Sequence, residues 1–242
     1  FRIILIFKKG YVMQQKNKSS TMSRLDVIAA VKGDLCALRS FKDYQDDKEI
    51  VLAAVESDGS AIRFASPRLQ DDKEVVLAAV ESDGIAIQFA SSRLKADEPL
   101  VRAAVTDKDY IINEIDCSFK DSKSFALFFF SFPDRGFYFN WFSEGLQADK
   151  DVALAAVSSS GMSLLQMSLF KSEVDVVAAA IASNAASLCY APESFRGDKS
   201  FVMKAIRSCG SALEYVSSKL KEDPEVVMAA VRNDGLALEH AS

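Results

Sequence analysis

The side chains that most often do acid–base or nucleophilic chemistry are scarce in this sequence. His240 is the only histidine among 242 residues. A Ser–His or Cys–His nucleophile needs an imidazole, but His240 stands where related stretches carry Phe64, Phe89, Tyr190 and Tyr215, so we interpret it as a packing residue. The chain also has no GxGxxG or GxxxxGK[ST] motif to hold a phosphate. These patterns predict no enzyme, no catalytic residue and no bound cofactor.

The four cysteines are the next residues that could bind a metal or form disulfides. Cys36, Cys117, Cys189 and Cys209 are widely spaced and form no CxxC pair, whereas zinc sites and disulfide frameworks use closer, patterned spacing. We therefore expect ordinary thiols in a reducing, cytoplasmic setting.

Paired carboxylates offer a further candidate for metal binding or acid–base work. They occur at Asp46-Asp47, Asp71-Asp72 and Glu222-Asp223. Each pair lies where a new copy of a repeat begins, and acidic residues there serve as helix caps. The sequence therefore predicts caps, with no metal site.

Composition narrows the class of partner. The net charge is −5 and the pI is about 5.1, with 49% hydrophobic and 26% charged residues. This balance is typical of a folded domain and disfavours nucleic-acid binding, which needs clustered Lys and Arg. The N-terminal apolar run is shorter than the ~20 residues of a membrane span. We expect a protein or peptide partner, with no nucleic acid, membrane or small-molecule substrate.

The elements that must position any site come from an internal repeat. LAAVESDG occurs at residues 52–59 and again at 77–84, and related tetrapeptides recur every 24 to 27 residues. They start at Ile28, Leu52, Leu77, Arg102, Leu127, Leu154, Ala178, Met203 and Met228. Short repeats of this kind bury a core only by stacking on one another.

Each repeat has a helical pattern. In DDKEVVLAAVESDG, Asp71 is predicted to cap the helix, with Glu74 three residues later as in a capping box. Val75 with Ala79 and Val76 with Val80 lie four apart, and Leu77 and Ala78 widen the apolar stripe enough to predict neighbours on two sides.

The paired alanines predict close stacking of neighbouring helices, and the recurring Gly, as at Gly84, predicts a left-handed residue that ends the helix. The following IAIQFASSRL fits a second helix of about two turns. A strand is the alternative, because Ile85, Ile87 and Phe89 alternate.

The predicted fold is all-α, an α-solenoid of about nine stacked helix–turn–helix repeats of about 25 residues. Residues 1–21 are predicted to be a poorly ordered, non-repeat segment, and residues 22–242 a single array. The repeats are placed near 22–46, 47–71, 72–96, 97–121, 122–148, 149–172, 173–197, 198–222 and 223–242, the last truncated.

Two of the repeat sequences resemble those of a known family. DDKEVVLAAVESDGIAIQFASSRLKAD and EDPEVVMAAVRNDGLALEHAS are similar to the repeats of domain of unknown function 4116. The module of that family spans two such units, each with an acidic start, an Ala-Ala-Val helix, a Gly turn and a short helix containing an aromatic residue. The resemblance implies an architecture and no catalytic residue.

Residues 125–142 depart from the pattern, with ten aromatic residues in FALFFFSFPDRGFYFNWF. Phe128 and Phe129 replace the paired alanines and are expected to push stacked helices apart. Three interpretations stay open: aromatic residues repacked into the core, an exposed patch formed by residues 137, 138, 141 and 142 that anchors a partner, or a stretch of unreliable translated sequence.

Residues that vary between repeats are free to contact a partner. We predict a non-enzymatic helical-repeat scaffold for protein–protein interaction; the alternative is an architectural or regulatory repeat arm of a larger protein. The candidate partner-binding residues occupy one position of the second helix, together with a tryptophan of the aromatic repeat: Arg39, Arg63, Gln88, Asn113, Tyr138, Trp141, Glu214 and Glu239. A solvated face without a partner is the other interpretation of this row. A second variable position, the one after each tetrapeptide, runs from Lys32 to Arg232.

Overall fold

The computed structural model describes residues 23–34 and 37–242. The predicted poorly ordered segment, residues 1–21, and Cys36 lie outside this part. The chain divides into two compact units, one ending at Leu94 and one spanning Lys95–Ser242, and each is described by itself. The described residues are helical and contain no strand, so the all-α repeat solenoid is confirmed and the strand alternative for IAIQFA is wrong.

One long α-helix opens every repeat, and repeats 1 to 9 are numbered here by these helices. Repeats 1–3 fall in the first unit and repeats 4–9 in the second. The long helices span Arg24–Gly33, Lys48–Ser57, Lys73–Ser82, Glu98–Asp107, Lys123–Phe130, Lys150–Ser159, Val174–Ser183, Lys199–Ser208 and Pro224–Asn233.

A 3₁₀ helix follows the long helix in repeats 2 to 9. These helices span Gly59–Phe64, Gly84–Phe89, Asp109–Asn113, Gly136–Trp141, Gly161–Gln166, Ala185–Tyr190, Gly210–Tyr215 and Gly235–His240. In repeat 1 the short α-helix Ala37–Ser40 stands in that place. A third, shorter helix then leads into the next repeat at Pro67–Gln70, Ser92–Lys95, Glu144–Gln147, Glu193–Arg196 and Ser218–Lys221, with 3₁₀ turns in its place at Lys42–Tyr44 and Cys117–Asp121. The prediction of two helices per repeat was therefore too simple, because the second helix has 3₁₀ geometry and a third follows it.

Two aspartates set the boundaries of the helices in repeat 2. Asp47 has extended backbone, and its carboxylate accepts hydrogen bonds from the N–H groups of Glu49 and Ile50, at 3.1 and 3.3 Å. Asp58, also extended, ends the long helix by donating its N–H to Ala54 O and starts the 3₁₀ helix by accepting from Ser60 N. One short polar residue thus closes one helix and opens the next.

The predicted cap of repeat 3 was wrong by one residue. Asp72 is the N-cap, and its carboxylate accepts from the N–H groups of Glu74 and Val75. Asp71 lies at the end of the preceding short helix, where its side chain accepts hydrogen bonds from Ser91 and Arg93. The adjacent acids therefore have different roles.

The recurring glycine is needed for a reason other than the predicted left-handed conformation. Gly59, Gly136, Gly161, Gly210 and Gly235 each open a 3₁₀ helix, and none of these five has a positive φ. A Cβ on Gly210 would lie 2.6 Å from Ala230 O and 2.8 Å from Asp234 Cβ. The next repeat therefore packs its backbone directly onto this glycine, and any side chain would collide with it.

The second alanine of each pair supplies the other half of this close contact. Ala79, Ala156 and Ala230 are buried, and their carbonyl oxygens face the glycine of the preceding repeat. The role of the small residues in close stacking is thus shared between alanine and glycine.

Two junctions of the second unit lack the glycine, and the one between repeats 7 and 8 is looser. Ala185 in repeat 7 and Asp109 in repeat 4 stand at its position. The long helices of repeats 7 and 8 approach each other less closely than their neighbours do, and a cavity of about 230 Å³ lies between them beside Ala178 and Phe201.

The core of each repeat comes from the long helix and the 3₁₀ helix together. In repeat 3, Val75, Val76, Ala79 and Val80 are buried as their four-residue spacing predicts. Leu77 is only half-buried, although the long helix of repeat 2 packs between those of repeats 1 and 3, as the prediction of neighbours on two sides requires.

Candidate interaction surfaces

The acidic residues that begin the repeats belong to a ladder of ion pairs. Lys199 of repeat 8 contacts Asp223 and Glu225 of repeat 9, with Nζ–O distances of 2.8 and 2.7 Å. The same arrangement joins repeat 2 to repeat 3 through Lys48 and repeat 5 to repeat 6 through Lys123. A cation at the first helical position thus bridges two acids of the next repeat.

This ladder accounts for the altered pKa values at the repeat starts. The hydrogen bond from Lys199 lowers the pKa of Asp223, and hydrogen bonds to Asp223 and Glu225 raise the pKa of Lys199. The cause is structural, because these carboxylates cap helices and hold neighbouring repeats in register. The shifts therefore do not indicate a catalytic acid or base.

The 3₁₀ helices carry the candidate surface. A 3₁₀ helix has about three residues per turn, so residues three apart share a face. In repeat 2 the first, third and fourth residues, Gly59, Ala61 and Ile62, are buried, while the fifth, Arg63, is exposed. The second and fifth residues form the outward face, which we call the variable face.

The variable face differs in every repeat. Its second-position residues in repeats 2 to 9 are Ser60, Ile85, Tyr110, Phe137, Met162, Ala186, Ser211 and Leu236. Its fifth-position residues are Arg63, Gln88, Asn113, Asn140, Leu165, Cys189, Glu214 and Glu239. All sixteen are exposed or half-buried. The letter that distinguishes LAAVESDGSAI from LAAVESDGIAI falls on this face.

In the first unit, the candidate residues include two exposed arginines. Arg39 lies on the short helix Ala37–Ser40, and Arg63 lies on the variable face with the half-buried Gln88 of the next repeat. The guanidinium of Arg63 lies 5.0 Å from the ring centroid of Phe64 and 5.9 Å from that of Phe89. These aromatic contacts hold the cation against both repeats.

In the second unit, Asn113, Glu214 and Glu239 are exposed on the variable face. Tyr138 is not equivalent to them. The two extra residues of repeat 5 precede its 3₁₀ helix, so Tyr138 is the third residue of that helix and Asn140 the fifth. Counting along the sequence from the start of the repeat could not locate this insertion.

Tyr138 instead joins the aromatic interior of repeat 5. Its ring makes an edge contact with Phe129, with centroids 5.5 Å apart, and its hydroxyl pairs with Asp109 of repeat 4. Burial, followed by that aspartate, raises the pKa of the Tyr138 hydroxyl. Phe125, Phe129, Phe139 and Phe142 are fully buried, so most of the aromatic run forms core.

The exposed part of the aromatic repeat is smaller than the predicted patch. Phe137 is 54% exposed. Trp141 is half-buried and packs edge-on against Phe142. Its ring centroid lies 5.4 Å from Lys120 Nζ. Phe142 is buried and was wrongly included in the patch.

Arg135 is a structural residue that the sequence did not reveal. It is buried and lies over the rings of Phe129 and Phe132, at 4.8 and 4.2 Å. Its Nη2 donates to Val105 O at 2.6 Å. In other repeats a Ser or Asn at the end of the long helix donates to the helix before it, as Asn233 does to Arg207 O at 3.1 Å. Repeat 5 has Phe132 near that place, and Arg135 supplies the donor.

A second outward-facing row lies on the long helices, and it includes the first letter of the tetrapeptide, which was predicted to belong to the apolar stripe. The first letter of the tetrapeptide is half-buried in repeats 1 to 3, at Ile28, Leu52 and Leu77. In the first unit, a groove of about 610 Å³ runs between the long helices of repeats 1 and 2 over Ile28 and Leu52. The position after the tetrapeptide, from Lys32 to Arg232, is exposed in all nine repeats.

The described part of the chain contains no group of three or more His, Cys, Asp or Glu side chains that could hold a metal ion. Cys117, Cys189 and Cys209 are free thiols. His240 is half-buried at the end of its 3₁₀ helix. None of the helices in this part is long and apolar enough to cross a membrane.

Comparison with known proteins identifies a family and no individual relative. The model of DUF4116, described as a domain of unknown function, matches residues 24–70, 47–95, 72–120, 173–221 and 198–242. No curated protein and no solved structure matches the chain. The matches span two repeats each and form two groups, within which they advance by about one repeat; the aromatic repeat lies between the two groups. Because they cover more than half of the sequence, the chain belongs to the DUF4116 repeat family.

Proposed function

We propose that this chain is a non-enzymatic helical-repeat scaffold that binds another protein through the variable face of its 3₁₀ helices. One observation carries the proposal. Within each 3₁₀ helix the buried positions keep small or aliphatic residues in nearly every repeat, whereas the exposed second and fifth positions range from Arg63 to Glu239. Positions that are both outward-facing and variable are where a stacked framework can acquire specificity.

Two features support a binding role over chemistry. The acidic residues at the repeat starts are engaged as caps and ion pairs, as Asp223 is with Lys199. The single histidine fills a position that is aromatic in most other repeats. The polar groups that recur are therefore used to build the framework.

The proposal is tested by charge reversal on two faces. Tagged protein carrying Arg63→Glu on the variable face and Arg39→Glu at the equivalent position of repeat 1 is compared with wild type by crosslinking and quantitative mass spectrometry of captured proteins. The matched control carries Arg207→Glu and Arg232→Glu, which reverse two exposed arginines on long helices. Circular dichroism verifies that both variants are folded.

A partner lost with the first variant and retained by the control supports the scaffold. If every captured protein is retained by both variants, and also after the equivalent reversal of Glu214 and Glu239, the variable face is a solvated surface. The chain would then be a spacer or an arm, and the proposal would be wrong.

A further inference from the structure

Three neighbouring repeats of the second unit present large apolar side chains on the variable face. Tyr110, Phe137 and Leu165 belong to repeats 4, 5 and 6 and are 47, 54 and 54% exposed. Their 3₁₀ helices are joined directly, since Tyr138 pairs with Asp109 and Gln166 Nε2 donates to Phe137 O at 3.0 Å. The three side chains therefore lie on one continuous face, Tyr110 and Phe137 at the second position and Leu165 at the fifth, and we call them the apolar row. Exposed apolar surfaces of this kind mark interaction sites.

The same face becomes acidic at the end of the unit. Repeats 8 and 9 present Glu214 and Glu239 at the fifth position. Neither carboxylate takes part in the ion pairs found among the described residues. Repeat 7, between the two parts, presents the small residues Ala186 and Cys189. A partner that follows this face meets apolar contacts at repeats 4 to 6 and negative charge at repeats 8 and 9, where the exposed Leu236 lies beside Glu239 on the same face.

The spacing of the row selects the conformation of the partner. Packed helices lie about 8–10 Å apart, so adjacent repeats offer one contact per step of roughly that length. A polyproline II segment rises about 3.1 Å per residue with three residues per turn, so every third side chain points the same way at about 9 Å intervals. A β-strand rises about 3.3 Å per residue with a side-chain period of two, so its equivalent side chains recur at about 7 or 13 Å and do not fit that step.

Resting on the scaffold function above, we propose that the variable face of repeats 4 to 9 binds an extended, polyproline II-like segment of another protein. Every third residue of that segment contacts one repeat. Its apolar residues pack on Tyr110, Phe137 and Leu165, and its basic residues face Glu214 and Glu239. Aromatic side chains are a common platform for polyproline II segments, whose preformed backbone loses little entropy on binding.

The experiment uses the full 242-residue chain and a synthetic probe. The probe is a fluorescein-labelled peptide of about 18 residues, with Leu at every third position of one half, Arg at every third position of the other, and Pro and Ser elsewhere. A second probe has the same sequence in reverse order, because the direction of the segment is open. Binding is measured by fluorescence anisotropy at low and high NaCl.

We expect one of the two probes to bind and Phe137→Ser to weaken it about tenfold, the loss typical of an interface anchor. Glu214→Lys combined with Glu239→Lys should weaken binding at low salt and have less effect at high salt. The matched controls are Val174→Ser, an exposed apolar residue on a long helix, and Glu144→Lys combined with Glu222→Lys, two exposed acids off the face.

Three results would overturn the inference. The first is that neither probe binds at millimolar protein. The second is that the face variants and the controls lose affinity equally. The third is self-association in sedimentation equilibrium that the Glu214 and Glu239 reversal abolishes, which would make a second copy the occupant. In the first two cases, a cellular partner that still depends on the variable face would leave the scaffold function standing.

Discussion

Gly210 and Gly235 allow the packing of one repeat on the next to be measured with a single methyl group. Both glycines open a 3₁₀ helix after an extended residue, with closely similar backbone angles at Cys209 and Asp234. A Cβ at Gly210 would meet Ala230 O, Asp234 Cβ and Asp234 N at 2.6, 2.8 and 2.9 Å, whereas a Cβ at Gly235 would meet nothing within 4 Å. The local backbone is the same and only the neighbour differs.

The two substitutions should therefore change the free energy of unfolding in opposite directions. Gly235→Ala restricts the unfolded chain without a clash and should raise the free energy of unfolding by about 0.4–1 kcal/mol. Gly210→Ala gains the same entropy, but two of its three close neighbours are backbone atoms that cannot rotate away, and overpacking of this kind costs about 1–3 kcal/mol. It should also strain the bond from Gly210 N to Asn233 Oδ1, now 2.8 Å.

The assay is thermal and urea unfolding followed by circular dichroism at 222 nm. A 1 kcal/mol change in a chain of this size shifts Tm by about 2–4 °C, so Gly210→Ala should melt several degrees below Gly235→Ala. Hydrogen exchange should place the loss at the junction of repeats 8 and 9, because a repeat array unfolds through its nearest-neighbour interfaces. If Gly210→Ala is as stable as Gly235→Ala, close backbone contact is not the reason for the glycine.

Three further perturbations test other parts of the framework. Asn233→Ala should cost about 1–2 kcal/mol in urea unfolding, because it removes the acceptor for Gly210 N and leaves that group buried; an unchanged midpoint would contradict the bridging role. Arg135→Ala should destabilise by about 1–3 kcal/mol, since Val105 O loses its donor, and a Lys at the same position that restored full stability would show that charge alone suffices. Lys199 holds the pKa of the Asp223 carboxyl below the usual 3.8. The carboxylate therefore stabilises the fold above pH 3.8, and this contribution is lost as the pH falls through the lowered pKa. The Tm of wild type should fall more steeply below about pH 4 than that of Asp223→Asn, and parallel curves of Tm against pH would refute the coupling.

The repeat could be predicted from the sequence because it is specified by short local patterns. Caps such as Asp47 and the four-residue spacing of Val76 and Val80 depend on a few adjacent residues, and nine copies repeat the same information. Period, all-α class and most of the buried positions follow from these signals alone.

The contacts that each repeat makes with the next could not be predicted from the sequence. The sequence shows that glycine recurs, but only the stacked backbone shows that Ala230 O occupies the space a Cβ would need at Gly210. The left-handed turn was the local explanation and was wrong, because the constraint comes from a residue 20 positions away.

Register in the aromatic repeat was also decided by tertiary structure. The extra residues precede the 3₁₀ helix, which moves Tyr138 inward onto Phe129 and puts Asn140 on the variable face. Arg135 becomes a buried donor to repeat 4 for the same reason.

By itself, the sequence determined the framework of this protein: its period, its caps and the apolar positions of each helix. The tertiary structure decided which residues face outward. A 3₁₀ helix repeats every three residues rather than every 3.6, so the surface is set by helix geometry and by the repeat stacked beside it. Composition reveals neither the helix geometry nor the stacking. Ser60 and Ile85 are the one difference between two nearly identical stretches, and only the structure shows that both lie on the variable face.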